Sequence, residues 1–177
     1  MIYNTLSKLT GKTIQSPKDI ILRGFTGSND SSTTGVVLNV SNVYSISEGT
    51  VIDIGKDFDD LYVVTVMYQP NKLFRYCLLS KVSVSVNDYI IPTDMIGVAY
   101  RSQLRFEYCT LEESNYIVRI GTNTFYKHDP IAYLMDGIDL YMSTEAISKY
   151  LDTTTSTEIT SKPVTYKLDN IMSGVDA

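Results

Sequence analysis

At 177 residues, with 44% hydrophobic and 20% charged residues, the chain is long enough for one domain with a proper core and has the make-up of an ordinary soluble protein. A net charge of -5 without any basic cluster argues against a nucleic-acid partner, since phosphate binding needs a concentrated Lys/Arg surface. No apolar run approaches the roughly 18 residues of a membrane span, so no membrane role is expected.

The N-terminal stretch MIYNTLSKLTGKTIQ lacks the basic leader and apolar core of a secretory signal, and the expectation is a chain that stays in the cytoplasm where it is made. Fourteen Tyr, no Trp and short runs of Val, Ile and Thr predict a mainly β protein. Residues 26–34, rich in Gly, Ser, Asn and Thr, read as a loop. Strands are predicted at 36–40 and 50–54, then over 62–68, where a nearly continuous apolar run indicates a central strand covered on both faces. Beyond it come 74–79 and VSVSV at 82–86, whose strict alternation is the clearest strand pattern in the chain. The remaining predicted strands are 95–100, 104–110 and 116–120. An acidic turn at Asp57, Asp59 and Asp60 lacks the glycine and terminal glutamate of an EF-hand loop.

Two short helices are expected late. Asp129 can cap one that starts at Pro130, and Ser143 or Thr144 a second carrying Ile147, Tyr150 and Leu151 on one side. The polar connector TTTST at 153–157 then leads to an arm in which Val164, Tyr166, Leu168 and Ile171 form an apolar cluster. Its alternation would let it add as a strand to the sheet of a partner. The implied organisation is an N-terminal extension (1–25), a β domain (26–135) and a C-terminal helix and arm (136–177). Cys77 and Cys109 are expected to be reduced and buried, with Cys77 on the strand face opposite Leu78. His128, the one histidine, reads as a solvated loop residue.

Six stretches, taken in order, have a shared resemblance: TTGVV at 33–37, NVYSISEGTV at 42–51, YCLLS at 76–80, VSVNDYIIPTDMIG at 84–97, QLRFE at 103–107, and Asp129-Pro130 followed by Tyr133-Leu134. Together they resemble the lysostaphin-type zinc endopeptidases, which cut peptide cross-links in bacterial cell walls. The resemblance covers residues 30 to 135 and implies an antiparallel β-sheet domain of that type. It also implies a zinc held by two histidines and an aspartate, with an open position for the attacking water. The three ligand positions fall on Thr33, Val37 and Arg105, and two further histidine positions fall on Leu78 and Gln103. Arginine stays protonated and cannot be a ligand. Arg105 and Glu107, two apart on one strand, read as an exposed pair contributing under about 1 kcal/mol.

The resulting expectation is a groove without metal or cofactor in a protein that is not an enzyme. With no export signal in view, the expected setting is a bacteriophage tail or baseplate: a structural component located in the virion, assembled in the host cytoplasm, with other virion proteins as partners and homo-oligomerisation left open. The alternatives are a module that binds cell-wall peptide or glycan, or a regulator of a wall hydrolase.

Overall fold

Alternating and apolar runs assemble into one antiparallel sheet of eleven strands. These are β1 (Ile21–Arg23), β2 (Val36–Asn39), β3 (Asn42–Tyr44), β4 (Gly49–Lys56), β5 (Tyr62–Gln69) and β6 (Lys72–Val82), followed by β7 (Tyr89–Ile90), β8 (Met95–Ala99), β9 (Gln103–Thr110), β10 (Ile117–Ile120) and β11 (Asn123–His128). The computed structural model describes residues 1–28, 30–57 and 59–138. The chain divides into two units, Met1–Asp139 and Leu140–Ala177. The helix expected after Ser143 and the arm residues Val164, Tyr166, Leu168 and Ile171 therefore lie outside the described residues.

The main path of the sheet runs β1-β2-β9-β6-β5-β4-β7, with β8 and β3 branching from β6, and β11 and β10 from β9. As its apolar run predicted, β5 is interior, between β4 and β6. β6 is the longest strand because it serves two partners on one side. Residues 73–77 pair with β9 and residues 79–82 with β8. Leu78, at the changeover, takes a left-handed φ of 69°, a conformation that costs a branched-chain residue energy and is the mark of a bulge.

One face of the sheet is aromatic. Tyr68 stacks on Phe74 at 4.3 Å between ring centroids, Phe74 lies against Phe106 at 5.3 Å, and Tyr76 meets Phe106 edge-on at 5.3 Å. Tyr133 closes the layer from α2 (Ile131–Leu134), 4.9 Å from Tyr108, and its hydroxyl bonds that of Tyr68 at 2.9 Å. Tyr68, Tyr76, Tyr108 and Tyr133 thus fill this face, and the hydroxyls of Tyr68 and Tyr133 pair with each other.

Several sequence expectations change here. In VSVSV only Val82 belongs to a strand. The Asp88 carboxylate accepts from the Ser85 N–H at 2.8 Å, and Asn87 turns with φ 79°, so side-chain capping overrides an alternating pattern that has no partner strand to pair with. β1, β3, β7 and β11 escaped prediction because three of them have three residues or fewer and the fourth, NTFYKH, is largely polar. The boundary at residue 25 falls inside one unit. Leu6 and Leu9 of α1 (Asn4–Thr10) are buried, and the Asn4 and Thr5 N–H groups donate to the Asp136 carboxylate at 2.6 and 2.9 Å. The helix expected to start at Pro130 begins at Ile131, with Pro130 in the cap position, although Asp129 does accept from the Ile131 N–H at 3.0 Å. No helix among the described residues is long and apolar enough to cross a membrane.

Truncating Phe74→Ala removes the ring that touches Tyr68, Phe106, Tyr108 and Tyr133. The expected loss of unfolding free energy is about 3–5 kcal/mol, read from urea denaturation; a loss below about 1 kcal/mol would show that the layer is not the core.

Candidate functional site: a buried ion network on the groove face

The opposite face of the sheet is set by register. Val37 of β2, Arg105 of β9 and Cys77 of β6 lie directly opposite one another across three strands, and in the next row Glu107 of β9 faces Arg75 of β6 and then Thr65 of β5. Directly opposed residues point to the same side, so Cys77 shares the face of Arg105. Its expected placement away from the groove is corrected: the bulge at Leu78 breaks the two-residue period on which that expectation rested.

Glu107 is the centre. It has no exposed surface, yet it accepts from Arg75 Nη1, from Arg105 Nε at 2.8 Å and from Lys127 Nζ at 3.0 Å. Burial alone would raise its carboxyl, but Arg75, Lys127 and Arg105 outweigh burial and hold it below the ordinary glutamate value. The Arg105 guanidinium reaches on to Asp57 in the β4–β5 turn, with Nη2 3.1 Å from Oδ2. Lys127, on β11 and 2% exposed, donates to the carbonyls of Ser31 at 3.1 Å and Thr34 at 3.1 Å. Arg23 donates to the Thr33 carbonyl at 2.6 Å. Basic side chains thereby sew residues 31–34 down onto the sheet. Gly35 allows the fit, since a Cβ there would stand 2.8 Å from Arg105 Cγ and 3.0 Å from Glu107 Cγ.

Arg105 and Glu107 are therefore not the exposed pair that spacing suggested; both are buried members of a network of five side chains. Asp57 is pushed up to about 6 by burial and by the neighbouring Asp59 side chain, against the pull of Arg105. Burial also pushes the Cys77 thiol up to about 12, with Glu107 adding to it, so this cysteine is no nucleophile. Cys109 packs with Leu73, Ile120 and Phe125 in an apolar cluster. Both cysteines are free and buried, as expected.

Of the five expected groove positions, Val37 and Arg105 are adjacent, and Thr33 is joined to them through Arg23 and the loop. Gln103 is exposed opposite Asn39, and Leu78 is half-buried at the bulge. Zinc needs three protein lone-pair donors. Val37 has none, Arg105 offers only N–H groups, and Thr33 Oγ1 is engaged with Ser28 Oγ at 2.6 Å. Among the described residues no group of three His, Cys, Asp or Glu side chains could hold a metal ion. The residues present do not fit the zinc that the resemblance implies. His128 is not simply solvated, for its Nε2 lies 2.9 Å from the Glu112 carbonyl, to which it donates, and 3.0 Å from Thr110 Oγ1. Arg75, Lys127 and Asp57 escaped sequence reading as site residues. For Arg75 the available signal was a charged residue at an inward position of an otherwise apolar strand, LFRYCLL; Lys127, on the largely polar β11, carried no such signal.

No known family profile matches the chain, and no curated protein does. Solved structures do. The antimicrobial peptidase lysostaphin from Staphylococcus simulans superposes with a TM-score of 0.53 at 18% identity, over 79% of this chain and 57% of that one. LytU gives 0.50 at 15% identity, over 68% of this chain and 86% of that one. The chain thus spans a little over half the length of lysostaphin and has the lysostaphin-like peptidase fold, mainly antiparallel β with few helices. This corrects the expectation that the chain is not an enzyme. The fold it shares is one that carries peptidases, lysostaphin by name among them, so the exclusion of enzymatic activity is withdrawn.

Two outcomes test the network. Glu107→Gln leaves Arg75, Arg105 and Lys127 without their shared carboxylate, and a loss of about 3–5 kcal/mol is expected in denaturant unfolding; a loss under about 1 kcal/mol would return the pair to the surface class. The Asp57 carboxyl should titrate near 6, followed by carbon NMR. Because this value lies above the 3.8 of an unperturbed aspartate, the folded state holds the extra proton between them. The contribution of Asp57 to stability is then full below 3.8 and lost as pH rises through about 6. A midpoint at or below 4 would contradict the placement of Asp57.

Proposed function

We propose that the chain is a structural component of a bacteriophage tail or baseplate that uses the lysostaphin-type scaffold for assembly. The observation that supports this is the Glu107 network: the centre of the groove face is filled by side chains that tie β6, β9 and β11 to the 31–34 loop and the β4–β5 turn. A face devoted to fixing its own strands and loops suits a domain whose task is to hold shape within a larger body. The setting rests on analogy, since wall-degrading domains recur in such tails, and fold alone does not fix function. The proposed partners are other virion proteins, with the virion as location and the host cytoplasm as the place of assembly.

A second reading, a module that binds cell-wall peptide or glycan, is favoured by the cations Arg75 and Arg105 on that face. The experiment is to band particles on a density gradient and probe them with an antibody raised against the purified protein. The chain should band with the particles in constant ratio to tail proteins and leave them only under conditions that dissociate tails. Absence from the particles overturns the proposal, and cosedimentation with purified peptidoglycan instead would establish the second reading.

A further inference from the structure

The geometry points to Arg105 as a binding site for a ligand carboxylate, with the Asp57 side chain occupying that site as an internal stand-in. The inference does not depend on the virion setting.

Within the network Asp57 is the odd member. Arg75, Arg105, Glu107 and Lys127 all stand on strands, whereas Asp57 follows β4 in the turn to β5. That turn is closed by its own bonds, Asp57 N–H to the Leu61 carbonyl at 3.1 Å and Asp60 N–H to the Asp57 carbonyl at 3.0 Å. Its backbone needs no contact with Arg105, and a side-chain rotation suffices to release the carboxylate. Asp57 is also poorly served. One oxygen meets Arg105 Nη2, while Oδ1, buried, accepts from no donor. Asp59 is beside it, able to share a proton with the Asp57 carboxyl but repelling it once both are charged.

Arg105, in contrast, stays in place without Asp57. Glu107 grips its Nε from the same strand, so the fork is preorganised, and a guanidinium matches a carboxylate with two parallel N–H bonds where Asp57 uses one. Further unused groups stand on the same face. Thr65 Oγ1 and Arg75 Nε are buried without a hydrogen-bond partner, and Thr65 itself is fully buried beside Arg75 across β5 and β6. Buried polar groups are normally paired, and those left unpaired at one spot call for an explanation. With Asp57 turned away, three cations would face the single carboxylate of Glu107, an excess of positive charge that a bound carboxylate would reduce. The route in is at Asp57 and Arg75, whose side chains keep 18% and 14% of their surface exposed against 5% for Arg105.

The ligand class is a carboxylate, at a peptide C-terminus or on an acidic side chain. The test uses three probes on the full chain, followed by NMR at Arg105 Nε–H and the Asp57 carboxyl: acetyl-alanine, acetyl-aspartyl amide, and acetyl-alanine amide as the neutral control. Saturable shifts at both groups with a carboxylate probe, and none with the neutral amide, are expected. The stronger of the first two identifies the source of the carboxylate. Asp57→Ala, which removes the internal competitor from an exposed turn, should tighten binding by about tenfold. Arg105→Lys, which keeps the charge but loses the fork, should abolish it. Equal response to the neutral amide, or an Asp57→Ala protein that folds but binds no tighter, overturns the proposal.

Discussion

A carboxylate without exposed surface has to be neutralised where it stands, and Glu107 imposes that requirement on everything around it. An isolated buried charge costs many kcal/mol, and the cost falls only when opposite charges and hydrogen bonds are supplied in good geometry. Three cations meet it from β6, from β9 and from β11. Because Arg75, Arg105 and Lys127 sit 32, 2 and 20 residues from Glu107, they converge only when those strands are paired in the observed register. The network therefore discriminates against register slips, which would move each of these residues to the other face.

The two faces of the sheet complement each other. The aromatic face supplies non-directional burial, tolerant of small shifts, while the ionic face supplies directional contacts that are not. The lysostaphin-like arrangement is retained although the residues at the implied ligand positions do not suit zinc. A metal joins segments through one centre of fixed geometry; here a carboxylate with three basic side chains joins β6, β9, β11 and the 31–34 loop, and does so with groups that the chain itself carries.

Much of the sheet was legible from sequence because period-two patterns and apolar runs depend on local burial. β5, β6 and β9 fall close to where they were predicted, and the order of motifs pointed to the right fold. The ion network was not legible in the same way. Pairing Arg75 with Glu107 requires knowing that β6 lies beside β9 and in which register, which no local pattern contains. The parity argument for Cys77 failed for a related reason: alternation holds only while a strand is regular, and Leu78 sits at a bulge. The VSVSV segment shows the converse, since alternation states which residues could share a face but not whether a neighbouring strand exists to pair with them.

The bulge at Leu78 also has a mechanical side. Among the described residues, strand pairing joins β8 and β3 to the rest of the sheet only by the second half of β6, and β9 with β2 to β6 by its first half. A load applied between those two branches is shared between the backbone of β6 through Leu78 and the short links at 40–41 and 100–102, which join β2 to β3 and β8 to β9 directly. The inter-strand hydrogen bonds on either side are then stressed in shear, several at a time, instead of being opened one by one from an end. Leu78, one of eight non-glycine residues with a positive φ among the described residues, thus also sits where the two branches are coupled through β6.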